Sequence, residues 1–104
     1  MQFTITHLTG SRAGSTQQLQ GAVITVGRDP SNMLAFDPSV DDKVSSFHAN
    51  ITVQGTQVLL TDLGSSNGTY FNGLKMGQPM PIISGANLQF GEGGPIVSLA
   101  FAAV

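Results

Sequence analysis

The sequence predicts an all-β fold, a sandwich of two packed sheets. Apolar and polar residues alternate in six short segments, which is the period of a half-buried strand. Clusters of Gly, Pro, Asn and Ser separate these segments, and no window has a helical period. Short strands at close spacing with turn signals between them are typical of a sandwich or a barrel. We expect a single domain over residues 1–104, long enough to bury a core unaided.

The predicted strands follow the chain in order. They are FTITH (3–7), AVITV (22–26), ANITVQ (49–54), QVLLT (57–61), ANLQF (86–90) and IVSLAF (96–101). Alternation within them predicts that these residues face inwards: Phe3, Ile5, Ile24, Val26, Ile51, Val53, Val58, Leu60, Leu88, Phe90, Val97, Leu99 and Phe101. Between TYF and LKM, Asn72-Gly73 predicts a two-residue turn that needs positive φ at both positions.

Composition excludes several classes of function. Only 10% of the residues are charged and the net charge is −2, whereas nucleic-acid binders carry clustered Lys and Arg, so we expect no nucleic-acid partner. Without cysteine there is no disulfide framework and no thiolate nucleophile or zinc site. No signal peptide or membrane span is visible, so the expected location is cytoplasmic, with no membrane partner.

The sequence gives little support to a catalytic site or a metal site. Ser45 or Ser46 with His48 and an aspartate at 41, 42 or 62 could form a hydrolase triad, but no G-x-S-x-G elbow accompanies them. His7, at the end of a strand, is expected to be structural and half-exposed. FGEGGP lacks the Lys-Ser/Thr and helix of a P-loop and is interpreted as a wide turn. We therefore expect no catalytic residue, no metal and no cofactor.

An anion-binding site has better support. Arg28 follows Gly27 at a strand end, and a guanidinium offers a planar fork of donors to a phosphate. Ser45, Ser46 and Ser66 add hydroxyl and backbone donors from two hydroxyl-rich loops, and the Asn67 amide can pair with an extended peptide. Taken singly, each of these residues is equally consistent with a surface charge or a turn former.

Three blocks occur along the chain in the order VGRDPSN, VSSFHANI and LTDLGSSNGTYFNG. Together they resemble the forkhead-associated (FHA) domain family, whose running pattern is Gly-Arg, Ser-x-x-His and Asn-Gly-Thr-x-x-Asn-Gly at similar spacings. The resemblance is close over residues 23–75, and the flanking strands fit the family's size. It implies an FHA-like β-sandwich of about eleven strands that binds phosphothreonine peptides through loops at one end.

The resemblance also implies a role for each motif residue. Arg28 and Ser45 would bind the phosphate, Ser46 and Ser66 would supply further donors, and Asn67 would hold the peptide main chain. Structural support of the site is expected from Gly27, His48, Gly68, Thr69, Asn72 and Gly73, with Gly27 as a shape requirement and His48 as a brace of the Ser45 loop. The position after the family's serine is often Arg, Lys or Asn but is Ser46 here, so affinity is expected to depend heavily on Arg28.

The function expected from the resemblance is phosphothreonine-peptide recognition within a larger signalling protein, without enzymatic activity. An upstream Ser/Thr kinase would generate the ligands, and the isolated domain is expected to be monomeric. The alternative is a scaffold of the same fold that binds its partners independently of their phosphorylation.

Overall fold

The computed structural model describes residues 1–103, in which eleven β-strands and no helix occur. The strands are β1 (Gln2–His7), β2 (Thr16–Gln20), β3 (Val23–Gly27), β4 (Leu34–Ala35), β5 (Ala49–Gln54), β6 (Gln57–Asp62), β7 (Thr69–Phe71), β8 (Leu74–Lys75), β9 (Met80–Ile82), β10 (Ala86–Phe90) and β11 (Ile96–Ala102). No helix in the described part of the chain has the length and apolarity needed to cross a membrane.

The strands form two sheets. Sheet A has the order β2-β1-β11-β10-β7-β8, and sheet B has the order β4-β3-β5-β6-β9. All neighbours are antiparallel except β3 and β4. Because the strands alternate in direction, residues 8–15, 28–33, 36–48, 63–68 and 91–95 all emerge at one end of the sandwich. We call this the loop end.

The core confirms the alternation predicted from sequence. Eleven of the thirteen predicted inward residues are buried, namely Phe3, Ile5, Ile24, Val26, Ile51, Val58, Leu60, Leu88, Phe90, Val97 and Leu99. Val53 and Phe101 are only half-buried and pack against this cluster. Both lie away from the loop end, where Val53 pairs with Val58 beside the β5–β6 turn and Phe101 contacts the Phe3 ring.

The prediction that His7 is half-exposed is wrong. Its side chain is 1% exposed, because it continues the inward face of β1 and its ring packs edge-on against Phe36 at a centroid distance of 5.8 Å. Nε2 lies 2.8 Å from the Gln17 side-chain oxygen, so Nε2 carries the proton and donates. Burial lowers the pKa of His7 despite this hydrogen bond.

Five strands have no counterpart in the alternation pattern. β7 and β8 flank the predicted Asn72-Gly73 turn, whereas β2, β4 and β9 were not predicted. β2 contains a single apolar residue, β4 has two residues, and β9 has Pro81 in its centre. Pairing with a neighbour defines each of them, so their own periodicity does not reveal them. The predicted Asn72-Gly73 turn is confirmed, since φ is 47° at Asn72 and 87° at Gly73 and the turn joins β7 to β8.

Candidate functional site

Gly27 brings two segments of the loop end into contact. A Cβ built on Gly27 would lie 2.1 Å from the Ser46 carbonyl oxygen and 2.8 Å from Asn32 Nδ2. The space is used by hydrogen bonds: the Arg28 N–H donates to the Ser45 carbonyl (3.0 Å) and the Asp29 N–H to the Ser46 carbonyl (3.1 Å). Gly27 thus allows the Ser45–Ser46 segment to lie directly against the end of β3.

His48 joins two loops of the site from inside the protein. Its side chain is completely buried and packs edge-on against Phe90 at a centroid distance of 5.6 Å. The Ser45 N–H donates to His48 Nδ1 (3.0 Å), so the proton is on Nε2, which donates to the Gly68 carbonyl (2.8 Å). Burial lowers the pKa of His48, the Gly68 hydrogen bond opposing the change, which favours the neutral ring that this arrangement requires.

Ser45 connects the loop before β5 to the loop before β7. The Ser66 N–H donates to Ser45 Oγ at 3.1 Å. Because Ser45 Oγ serves as the acceptor there, its own hydroxyl proton can still be donated to a ligand. Ser45 is half-buried, whereas Ser46 and Ser66 are exposed. The backbone thus brings the two loops together at Ser45 and leaves hydroxyl groups at the surface.

Arg28 lies at the same place in the fold, since its backbone is bonded to Ser45. The side chain is half-buried, and within residues 1–103 its Nε has no hydrogen-bond partner although that atom is shielded from solvent. An unmatched buried N–H destabilises the protein unless an acceptor satisfies it. Within the protein, Arg28 Nε is therefore a donor that is not used.

Asn67 is held between two other segments. Its Nδ2 donates to the Lys43 carbonyl (3.0 Å), and its own carbonyl accepts from the Glu92 N–H (2.9 Å). The adjacent Gly68 carbonyl accepts from the Gly91 N–H at 2.8 Å as well as from His48. One amide proton of Asn67 is therefore used within the protein, which leaves its Oδ1 and second N–H to meet a peptide.

Thr69 orders the loop before β7 through Asp62. The Thr69 hydroxyl donates to Asp62 Oδ1 (2.6 Å), and the Ser65 hydroxyl and backbone N–H also donate to this carboxylate. Burial by itself would raise the pKa of Asp62, but these hydrogen bonds and one from the Gly64 N–H outweigh burial and lower the pKa. Residues 63–68 are thereby anchored at both ends.

Asn72 and Gly73 lie apart from the other motif residues. β7 carries the chain from Thr69 at the loop end to Phe71, and the turn follows. The Asn72 side chain accepts a hydrogen bond from the Asn87 N–H (2.9 Å), and the Asn72 N–H donates to the Asn87 carbonyl (2.8 Å). The Asn72 hydrogen bonds therefore fix the start of β10. Asn72 and Gly73 can support the site only indirectly, by positioning β7.

Charge is concentrated at the loop end. Eight of the ten charged residues lie in its loops, and Asp62 ends β6 beside them. The tenth, Lys75 in β8, extends its side chain towards Gly68. Several of the acidic residues act as acceptors for their own loops: Asp41 accepts from Ser11, Asp29 from Ser31 and Asp37 from Ser39. The site is therefore a local set of donors within surroundings that are acidic overall, unlike a broad basic surface.

Four residues of the site were assigned no role from the sequence. Asn32 Nδ2 donates to the Ser46 carbonyl (2.8 Å), the Lys43 carbonyl receives Asn67, and Gly91 and Glu92 hold Asn67 and Gly68. Gly91 has φ +96°, and a Cβ there would lie 2.5 Å from the Lys43 carbonyl oxygen. The glycine-rich FGEGGP segment was the available signal, and its interpretation as a wide turn did not reveal this contact.

Comparison with known proteins agrees with this geometry. The family model described as FHA domain matches residues 24–91, which include all the motif residues. The chain belongs to the FHA domain family. The FHA domain-containing protein FhaB of Mycolicibacterium smegmatis is 30% identical over 83 residues, covering 80% of this chain and 52% of FhaB. The chain spans about half the length of the curated FhaB relatives it matches.

Solved FHA domains have the same fold. An FHA domain studied for phosphothreonine-dependent FHA domain interactions has 26% identity and a TM-score of 0.80, with both chains fully covered. The FHA domain of an Arabidopsis thaliana protein has 25% identity and a TM-score of 0.86, covering 99% of this chain and 87% of that one. The eleven-stranded FHA-like sandwich expected from the sequence is confirmed.

Proposed function

We propose that the loop end of this FHA domain binds phosphothreonine peptides and so mediates phosphorylation-dependent protein–protein interaction. The observation that carries the proposal is that Arg28, whose Nε has no acceptor within residues 1–103, is bonded through its backbone to Ser45, the residue that also accepts from Ser66. The similarity to a solved FHA domain studied for phosphothreonine-dependent interactions supports it. The domain would act by recognition, without catalysis.

Each residue of the proposed site has a distinct role. Arg28 supplies charge-assisted hydrogen bonds to the phosphate. The oxygen of the Ser45 hydroxyl accepts from Ser66, and its proton is donated to the phosphate as a further hydrogen bond. The exposed hydroxyls of Ser46 and Ser66 add further donors. Asn67 meets the peptide main chain with its Oδ1 and remaining N–H, since Lys43 occupies the other. Gly27, His48, Gly68 and Thr69 hold these groups in place.

The acidic surroundings restrict which phosphopeptides can bind. Acidic residues outnumber basic ones at the loop end, and several of them accept hydrogen bonds from their own loops, so a peptide with several acidic flanking residues would be repelled. Affinity then comes from short-range donors and only weakly from long-range attraction. We propose ligands with neutral or basic residues beside the phosphothreonine, produced by a Ser/Thr kinase in the cytoplasm.

A degenerate phosphothreonine-peptide library tests this proposal together with titration calorimetry of selected peptides. Arg28→Ala is expected to weaken binding on the order of tenfold to a hundredfold, because charge-assisted hydrogen bonds contribute about 1.5–3 kcal/mol. Arg12→Ala is the matched control: it removes the same charge from the loop end, but the Arg12 Nη1 donates to the Ala35 carbonyl (3.2 Å).

Two outcomes would contradict the proposal. A folded Arg28→Ala variant with unchanged affinity removes Arg28 from the site. Equal binding of the unphosphorylated library means that the domain is a phospho-independent scaffold.

A further inference from the structure

Sheets A and B each end in two edge strands, and three of these four edges carry a feature that limits further pairing. β4 has two residues, and its Ala35 carbonyl accepts a hydrogen bond from Arg12. β8 has two residues, one of which is Lys75. β9 has Pro81, which lacks an N–H, in its centre. Short strands, lysine and proline are common means of protecting sheet edges from pairing with another chain.

β2 has none of these features. It has five residues, TQQLQ, without charge or proline, and it forms the free edge of sheet A. Thr16, Gln18 and Gln20 are exposed and alternate with the half-buried Gln17 and Leu19. β3 follows after only two residues, and β4, the neighbour beyond it in sheet B, pairs only with Val26 and Gly27 at the loop end. Most of the β2 edge is therefore uncovered.

The pairing of β2 with β1 determines which main-chain groups are free. The His7 N–H donates to the Ser15 carbonyl (2.9 Å), and the Gly21 N–H donates to the Met1 carbonyl (3.4 Å). Hydrogen-bonded and non-bonded pairs alternate along antiparallel strands, so Gln17 and Leu19 bond to β1. The N–H and C=O groups of Thr16, Gln18 and Gln20 point away from β1, with no partner there among residues 1–103.

We propose that β2 pairs with β2 of a second copy of this chain, antiparallel about a two-fold axis at Gln18. The axis places Gln18 opposite Gln18 and Thr16 opposite Gln20, so each free N–H meets a free C=O. The two copies of sheet A then form one continuous sheet. A weak dimer replaces the monomer expected from the sequence, and the proposal is independent of phosphopeptide binding.

Three features favour a second copy over an unrelated peptide. The outward side chains are Thr and Gln on both strands, which can hydrogen-bond across the axis, and Gln18 Oε1 already accepts from Gln2 Nε2 (2.8 Å). The edge carries no charge, so two copies do not repel each other. The free main-chain groups of Thr16, Gln18 and Gln20 are arranged symmetrically about Gln18, so the edge is complementary to a second copy of itself. Because the other edges are blocked, assembly closes at two copies.

Sedimentation equilibrium of the chain over a concentration series tests the dimer. A five-residue ladder is small for a protein interface, so the expected dissociation constant is on the order of 0.1–1 mM. Gln18→Lys should keep the chain monomeric, because it places two lysines directly opposite each other. Thr4→Lys is the matched control: Thr4 pairs with Gln18 on the same face but lies in β1, so this variant should dimerise like wild type.

Disulfide trapping tests the register in a chain without natural cysteine. A mixture of Thr16→Cys and Gln20→Cys variants should form the mixed disulfide, whereas Thr16→Cys alone should not, because its two sulfurs are separated by four residues, about 13 Å. If sedimentation equilibrium gives the mass of a single chain at every concentration, self-pairing is overturned. An extended segment of another protein would then be the candidate partner of this edge. Equal dimerisation of Gln18→Lys and wild type, or equal trapping of both cysteine samples, would also overturn self-pairing.

Discussion

Gly27→Ala is the substitution whose cost follows most directly from the geometry. The new Cβ would lie 2.1 Å from the Ser46 carbonyl oxygen and 2.7 Å from its carbonyl carbon, distances that real Cβ contacts do not reach. The backbone of Ser46 must retreat by about 1 Å to restore van der Waals contact. The strain is steric only, because φ of Gly27 does not fall in the left-handed region.

That retreat breaks specific hydrogen bonds. Three donors reach the Ser45 and Ser46 carbonyls from this side: the N–H groups of Arg28 and Asp29 and the side chain of Asn32. Each lost hydrogen bond costs about 0.5–1.5 kcal/mol, and overpacking adds strain to this. Together we expect the free energy of unfolding to fall by about 2–4 kcal/mol. Phosphopeptide affinity should fall as well, because Ser45 moves with Ser46.

Urea unfolding measures the first effect and calorimetry the second. Gly77→Ala is the control, since Gly77 has an ordinary φ and no atom within 4 Å of its built Cβ. Its free energy of unfolding should stay equal to wild type or rise by about 0.5 kcal/mol. If Gly27→Ala unfolds at the same urea concentration as Gly77→Ala and keeps its affinity, the close approach of the two segments does not support the site.

Three further predictions concern pH, the peptide and the phosphorylated residue. Burial lowers the pKa of His48 and His7 below 6.5, so the unfolded chain takes up protons first as pH falls. The free energy of unfolding should therefore decrease below about pH 6.5, by up to about 1.4 kcal/mol per pH unit for each histidine. Urea unfolding at a series of pH values measures this, and a free energy of unfolding that does not change with pH would refute it. Asn67→Ala should weaken phosphopeptide binding more than binding of free phosphothreonine, and an equal proportional loss in calorimetry would contradict its assignment to the peptide main chain. Matched phosphoserine peptides should compete severalfold more weakly than phosphothreonine peptides, because phosphoserine lacks the threonine methyl group, whose burial in the complex we expect to contribute about 0.8 kcal/mol or more. Equal competition would contradict burial of that methyl group.

Sequence alone determined the strands that bury an apolar face. Alternation locates β1, β5 and β6 because their inward side chains, apart from those at strand ends such as His7, are apolar residues of the same segment, and burial of such a residue is a local property. The Asn72-Gly73 turn is likewise local, since its positive φ values depend on the residues themselves. The three motif blocks also placed Arg28, Ser45 and Asn67 in one family pattern before any contact was known.

Tertiary structure decided which atoms meet. His48 accepts from the Ser45 N–H and donates to the Gly68 carbonyl, and the N–H groups of Gly91 and Glu92 hold the segment containing Asn67. These bonds use backbone N–H and C=O groups, which nearly every residue possesses. No residue type marks a carbonyl as an acceptor for a distant loop, so sequence patterns carry no signal for these contacts. The same holds for β2, whose polar residues become a strand only by pairing with β1, and whose open edge exists only because nothing in sheet A lies beyond it.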